Sequence, residues 1–455
     1  MKQFIIIYVL FLVIIGCTSS FESENQEIAE EMEESLKSEL LDAWYPLTID
    51  TVNGGFWSDF TWDWKQEGPQ NKMIVTQTRH VWTSSNAALF INDDIYWEIA
   101  EHGYHFLRDK MWDTVYGGFY MIRNTEGGPL EGSFNESKSA YGNAFGIYSL
   151  TAYYVMSGDT SALDLAKKTF YWLEKHSHDP AHKGYFDRLM REGSPLLDGD
   201  TDLSDDIIDQ LGWKDQNSSI HLLEAFTELY ASWPDSLLEQ RLREMLYLVR
   251  DVITTDKGYL TLFFKRDWTP ISYRDSSQAI REANYGLDHV SFGHDIETAY
   301  LMLEASHALG LHSDHKTLEI AKKMVDHSLA KGWDRENGGL YYEGYYHNDS
   351  DSITIINESK SWWVQAETLN ALLLMAKLFP EEEKYYETFK KQWEYIKTFQ
   401  IDHEHGGWYR NGLDKNPEEI KTAKASNWKV NYHNMRALMN CIKMLRGDHE
   451  LTESL

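Results

Sequence analysis

At 455 residues, 42% apolar and 14% aromatic, the chain is too long for one ordinary core unless a repeat architecture closes a single interior around itself. Its 72 acidic and 43 basic residues leave a net charge of −29 with no basic cluster, which argues against nucleic acid as a partner. The 17 Trp and 27 Tyr serve mainly the core; the surplus suits carbohydrate, whose apolar ring faces pack on indole and phenol while the hydroxyls find polar partners.

The chain opens with Met1-Lys2, an apolar run from Phe4 to Ile15, and then Gly16-Cys17. So short a run after a positive residue reads as a secretory signal rather than a spanning helix. Ile14-Ile15-Gly16-Cys17 resembles the bacterial lipobox, whose Cys becomes the lipidated first residue of the mature chain. The expectation is a leader over 1–17 with lipidation at Cys17, an acidic tether over 18–34, and one domain over 35–455. The protein is then an exported bacterial lipoprotein, attached to a membrane by its anchor and facing the periplasm or the cell surface. Cys441 is the only other cysteine, so no intramolecular disulfide remains. No linker rich in Pro, Gly or Ser divides the rest, and a monomer is expected.

A Gly-aromatic turn then recurs: Gly54-Gly55-Phe56, Gly117-Gly118-Phe119, Gly184-Tyr185, Gly258-Tyr259, Gly338-Gly339-Leu340 (aliphatic in place of the aromatic) and Gly406-Gly407-Trp408. The last glycines of these turns lie 63, 66, 74, 81 and 68 residues apart, a period that holds two helices and a turn. Asp50, Asp113, Asp179, Asp334 and Asp402 each stand five residues before that glycine. Ahead of the turns the pattern is amphipathic, as in Leu163, Ala166, Phe170 and Leu173, or Tyr386, Phe389, Trp393 and Ile396. Behind each turn comes a second helix that mixes small residues with large polar ones, among them Arg79, Tyr141, His221, His294, Trp362-Trp363 and His433. Six such helices side by side line a closed ring, with six amphipathic ones behind. The predicted fold is an all-α (α/α)6 barrel with short β-hairpins at the Gly turns.

Chemistry concentrates on the inner helices. His294 and Glu297 are three apart on one helix face, close enough for the carboxylate to orient the imidazole as a general base. His221 and His433 occupy matching positions in other units. Three His and one Glu are also a possible ligand set for a divalent metal, but there is no His-Glu-x-x-His, and His403-Glu404-His405 belongs to a Gly turn. Acid–base work without a metal or other cofactor is the preferred reading.

Gly293-His294-Asp295-Ile296-Glu297, Trp362-Trp363-Val364-Gln365-Ala366-Glu367 and Asn427-Trp428-Lys429 leading into Tyr432-His433 closely resemble cellobiose 2-epimerases, which belong to the N-acylglucosamine 2-epimerase superfamily of (α/α)6 barrels. The resemblance spans roughly residues 26–447. It implies reversible inversion at C2 of the reducing-end sugar of a β-1,4-linked disaccharide without metal or nucleotide. His294 and His433 match the two catalytic histidines, His221 the third active-site histidine, and Arg79 the arginine near the C2 hydroxyl. Trp362, Trp363 and Trp428 match aromatic positions that hold the sugar rings, and Tyr141 and Asn217 match further polar contacts; Glu367 is grouped with them. At residue 80, where disaccharide epimerases usually carry Ile, this chain has His80, either a core filler or a sign of a different sugar.

The residues support that chemistry independently. Epimerisation at C2 needs an open-chain aldehyde, removal of the adjacent proton, and return of a proton to the opposite face of the enediolate. Two imidazoles supply base and acid near neutral pH, Arg79 stabilises the developing oxyanion, and Glu297 is expected to hold His294. The alternatives are an aldose–ketose isomerase of the same superfamily, a glycoside hydrolase using Glu297 and Glu367 as its two carboxylates, and an inert sugar-binding lipoprotein.

Overall fold

The computed structural model describes residues 23–131, 136–197, 212–347 and 350–448. Its long helices are, in chain order, α1 (residues 23–44), α2 (Ile74–Ala87), α3 (Asp94–Phe106), α4 (Ala140–Ser157), α5 (Thr160–His176), α6 (Gln216–Ser232), α7 (Ser236–Leu248), α8 (Phe292–Ala308), α9 (His315–Gly332), α10 (Trp362–Leu378), α11 (Lys384–Tyr395) and α12 (Tyr432–Arg446). Each even-numbered helix packs on the next, and α12 returns to α2, which closes a six-helix ring with the odd-numbered helices outside it. This is the expected (α/α)6 barrel. The inner helices are buried on nearly every face, as from Ile74 to Ser85 and from Trp362 to Met375, so a polar side chain on them must find a partner inside or line a cavity. The outer helices are one-sided: Leu163, Ala166, Phe170 and Leu173 are all buried. Asp93, Asp159, Asp235 and Asp314 cap α3, α5, α7 and α9 by accepting backbone N–H groups.

The expected tether needs correcting. From Ser23 onward that stretch is helical and forms the first half of α1, so the barrel begins before residue 35. Ala29, Met32 and Leu36 are fully buried at helical spacing, and the Trp393 indole donates to Glu31 at 3.0 Å. The acidic composition concealed this apolar stripe, because the carboxylates Glu24, Glu31 and Glu33 lie outside it and pair with Lys390, Lys397 and Arg446. The leader and Cys17 lie outside the described residues.

All six Gly turns are closed by a single antiparallel bridge, for example Trp112 with Phe119 and Ile401 with Trp408. At Gly118 φ is +73°, and a Cβ there would meet the Trp172 ring at 2.8 Å, so only glycine fits. The strands, however, mostly join neighbouring units instead of forming hairpins within a turn. Lys72–Met73 pairs with Ile122–Arg123, Lys138–Ser139 with Arg188–Leu189, and Lys214–Asp215 with Phe263–Phe264. Among the described residues, Glu343–Tyr346 with Ile353–Asn357 is the one longer hairpin. The repeated Asp has a repeated partner that the turn motif did not reveal: Lys72, Lys138, Lys214, Lys360 and Lys424 reach Asp50, Asp113, Asp179, Asp334 and Asp402 at 2.8, 3.0, 3.2, 2.8 and 2.5 Å. Four of these lysines stand two residues before an inner helix, so each pair ties an outer-layer turn to the rim of the ring. In the fourth unit the buried Ile253 and Val290 stand at the two corresponding positions in place of the ion pair.

Candidate active site

A cavity of about 440 Å³ opens at the end of the ring where the inner helices begin. Ten of the eleven protein residues expected to act on the sugar line it: Arg79 from α2, Tyr141 from α4, Asn217 and His221 from α6, His294 and Glu297 from α8, Trp362 and Trp363 from α10, and Trp428 and His433 at the start of α12. Each projects from the first two turns of its helix or the segment before it, which is why one face of the barrel collects them. Trp428 is half exposed at the mouth, and Trp363 lies deeper, with its ring 4.7 Å from that of His294 and 5.8 Å from that of His433. A smaller cavity of about 250 Å³ adjoins through Tyr141, Asn217 and Trp428, and adds Trp213, Asp187 and Asp215. Sequence reasoning did not single out Tyr342, Ser359, Arg410 and Asn411, which also line the main cavity from loops between the helices. Their types and spacing carry no motif.

The eleventh residue, Glu367, is fully buried behind the cavity wall and does not reach the sugar space. Its Oε1 lies 2.5 Å from His433 Nδ1, and its Oε2 accepts the Tyr300 hydroxyl at 2.6 Å. The expected Glu297–His294 pairing is also absent. Glu297 Oε1 accepts from Arg436 Nη2 at 2.5 Å, whereas His294 Nδ1 meets the Ser291 hydroxyl at 2.8 Å and the Gln216 amide at 3.4 Å. The i,i+3 spacing put His294 and Glu297 on one face, but Glu297 turns to Arg436 and His294 to Ser291. The spacing does hold for His221, whose Nδ1 is 2.8 Å from Glu224 Oε2. His221-Leu222-Leu223-Glu224 carried the same signal as His294 to Glu297, and Glu224 was the carboxylate to choose.

These contacts fix the imidazoles differently. A carboxylate only accepts, so His221 and His433 carry their hydrogen on Nδ1 and leave Nε2 as the basic nitrogen. A serine hydroxyl both donates and accepts, so His294 keeps its bond in either tautomer. Burial, then the neighbouring His221, His289, His433 and Arg79, holds His294 well below the usual imidazole range. Burial and Arg79 do the same at His433, with Glu297 pulling the other way. Burial pushes Glu224 up, but the Arg436 guanidinium and then His221 overcome it and hold the carboxyl down at about 2. At Glu367 burial prevails over Arg436 and Tyr300, and the carboxyl is raised.

Arg79 is buried against neutral partners. Its guanidinium donates to the Tyr141 hydroxyl at 3.2 Å and the Trp428 carbonyl at 3.3 Å, and it lies over the Phe145 and Tyr432 rings at 4.7 and 5.2 Å. No carboxylate pairs with it among the described residues, so its charge is open to an anionic oxygen. His80 is a core residue: it is fully buried, stacked on Phe56 at 4.4 Å and bonded to the Tyr45 hydroxyl at 3.0 Å, outside the cavity.

For metal binding, the described residues bring together Glu297, Glu367 and His433, not the set of three His and one Glu. Arg436 Nη2 already donates to Oε1 of both glutamates, at 2.5 and 2.7 Å. A guanidinium therefore stands where a cation would bind, and these residues do not fit a metal as they are arranged.

A closed helical ring with histidines, a free arginine and stacking tryptophans at one mouth is the architecture of sugar epimerases and isomerases. Residues 55–437 match the N-acylglucosamine 2-epimerase (GlcNAc 2-epimerase) family, and the chain belongs to it. It is an isomerase that acts on carbohydrates. It is 30% identical over 421 residues to a cellobiose 2-epimerase of Bacteroides fragilis, covering 92% of this chain and 98% of that one. It is 26% identical over 409 residues to a D-mannose isomerase of Marinomonas mediterranea, covering 88% and 94%. The solved cellobiose 2-epimerase from Bacillus thermoamylovorans superposes with a TM-score of 0.77 at 26% identity, covering 92% of this chain and 99% of that one.

Proposed function

We propose that the protein inverts C2 of the reducing-end sugar of a β-1,4-linked disaccharide of the cellobiose, mannobiose or lactose type, through an open-chain enediolate. The observation that carries this reading is the pairing of two buried, differently held imidazoles with an arginine that lacks a counter-charge, all on one cavity. His433 Nε2 takes the C2 proton, the C2–H electron pair forms the C1=C2 bond, and the C1 carbonyl π pair moves onto oxygen, where Arg79 faces the new negative charge. His294, protonated from solvent, gives a proton to the opposite face of C2 as the C1=C2 pair forms the new C–H bond, the oxygen pair re-forms the carbonyl, and the aldehyde returns. Solvent exchange at the two rings resets their protons, and the reverse reaction exchanges their roles. Trp363 and Trp428 stack the sugars, and the second ring extends toward the annex beside Trp213 and Asp187. Turnover needs no metal, because Arg436 supplies the cation at the only carboxylate cluster that could hold one among the described residues; exhaustive chelation is expected to leave the rate intact. Lipidation at Cys17 carries the enzyme on a membrane.

A second reading, aldose–ketose isomerisation, is favoured by the D-mannose isomerase relative, and uses the same deprotonation with the proton returned to C1. Glycoside hydrolysis is disfavoured: Glu297 and Glu367 share one guanidinium, and Glu367 is sealed from the cavity, so the two cannot flank a glycosidic bond. Incubation with cellobiose, mannobiose, lactose and mannose separately in heavy water, followed by NMR, tests the proposal. A C2 epimer carrying deuterium at C2 is the expected product. A ketose establishes the second reading, and monosaccharides or unchanged sugar in every case overturn both.

A further inference from the structure

Arg436 lies outside the sugar cavity, three residues along α12 from His433, and is almost fully buried. One arm of its guanidinium donates to Glu224 and lies 2.5 Å from the Tyr432 hydroxyl, while the other reaches Glu297 at 2.5 Å and Glu367 at 2.7 Å. These carboxylates come from α6, α8 and α10, so four of the six inner helices meet at one cation. Two of the three then pass the contact on: Glu224 holds His221 Nδ1 at 2.8 Å and Glu367 holds His433 Nδ1 at 2.5 Å. His294, seated on Ser291 and Gln216, is outside this network.

Three carboxylates this close and this deeply buried cannot all stay ionised without a compensating charge; one would take up a proton. A protonated Glu367 or Glu224 would lose the acceptor-only character that keeps the histidine hydrogen on Nδ1. We infer that Arg436 is a positioning residue for the proton-transfer chemistry, an internal cation that does the work of a metal ion by fixing three glutamates and, through two of them, the tautomer and basicity of His221 and His433. Lysine is a poor substitute, since a single ammonium cannot offer a planar fork to carboxylates on three helices. Other groups facing this cluster are Tyr300 and Glu304 from α8, Tyr148 from α4, and Arg79 from α2.

The inference rests on the proposed histidine chemistry only for its kinetic readout. The imidazole titrations of the substrate-free enzyme, followed by NMR, report on Arg436 whichever reaction the enzyme performs. Arg436→Gln is expected to lower kcat by about a hundredfold or more with KM changed only a few-fold. It should also move the His433 titration to higher pH, because the cluster, short of one cation, binds protons more readily and the guanidinium no longer repels the imidazolium. Arg436→Lys keeps a positive charge in the core; it carries the test should Arg436→Gln not fold, with a smaller loss of kcat and a smaller shift in the same direction. A folded variant with native kcat and native imidazole titrations overturns the inference. So does a loss of kcat without any change in the titrations, which marks a purely structural role.

Discussion

His294 and His433 line the same cavity from α8 and α12, on either side of α10, yet the protein seats them differently. His433 stands on a buried carboxylate that is itself held by an arginine, whereas His294 stands on a serine hydroxyl and an amide. The first arrangement fixes one tautomer and stabilises the imidazolium once a proton has been taken. The second permits either tautomer and supports the charged form only weakly. In the proposed reaction a proton leaves one face of a carbon and another arrives on the opposite face, and the two seats suit those two tasks. Burial holds both rings neutral near pH 7, so either can begin as the base, and the ring that acts as the acid must first take up a proton from solvent.

The bluntest way to break the comparison is to remove a ring. His294→Ala and His433→Ala should each lower kcat by about a hundred- to ten-thousand-fold, since water replaces a positioned acid or base poorly, while sugar binding measured by calorimetry persists. The two variants should differ in isotope exchange. If His433 is the base, its loss abolishes wash-in of deuterium at C2, while His294→Ala retains slow exchange into unchanged substrate. A well-folded His433→Ala enzyme that epimerises at the native rate contradicts the two-histidine mechanism.

A milder test changes a seat and leaves the ring. Glu367→Gln replaces an ionic partner with a neutral one, a loss of about 1.5–3 kcal/mol for a hydrogen bond to a charged group, or about ten- to a hundredfold in kcat. The sign of its pH effect is fixed. In the wild type, activity depends on a neutral base and falls as pH drops through that base's pKa, which burial and Arg79 place below the ordinary 6.5. Without the carboxylate the imidazolium is less stable, so the acid limb of kcat/KM should move to still lower pH, opposite to the shift expected for Arg436→Gln. An acid limb moved upward in Glu367→Gln contradicts the assignment of Glu367 as the anionic partner of His433.

The sequence made the barrel legible because its signals were local and repeated: glycine turns at a steady period, amphipathic outer helices, and polar residues at matching inner positions. Ten of the residues it singled out line one cavity. The pairings were not legible, because they depend on three-dimensional contacts that spacing does not encode. Glu297 and Glu224 have the same spacing from a histidine and both reach Arg436, yet the second oxygen of Glu224 also holds His221, whereas His294 is bonded to Ser291 instead. Glu367 reads as part of a sugar-binding run because neighbouring Trp362 and Trp363 line the cavity, but it stands one turn beyond Trp363 on nearly the same face of α10, deeper in the ring and behind the cavity wall. The acidic opening of α1 misled for a related reason, since a charged composition hides an apolar stripe of three residues.

The smallest expected effect probes the weaker seat. Ser291→Ala removes one neutral hydrogen bond from His294 Nδ1, and the Gln216 amide at 3.4 Å remains nearby as a partner. A neutral hydrogen bond contributes about 0.5–1.5 kcal/mol net, so kcat should fall only about two- to tenfold. Ser291 also stands immediately before α8 and pairs with Glu343 through the strand Val290–Ser291, but that pairing uses backbone groups and survives the substitution. Because burial and neighbouring charges, not the hydroxyl, set the low pKa of His294, the acid limb of kcat/KM should stay where it is. A loss as large as that of Glu367→Gln, or an equal displacement of the acid limb, would mean that both imidazoles depend on their Nδ1 partners alike and that the division between a carboxylate-held base and a hydroxyl-held partner is wrong.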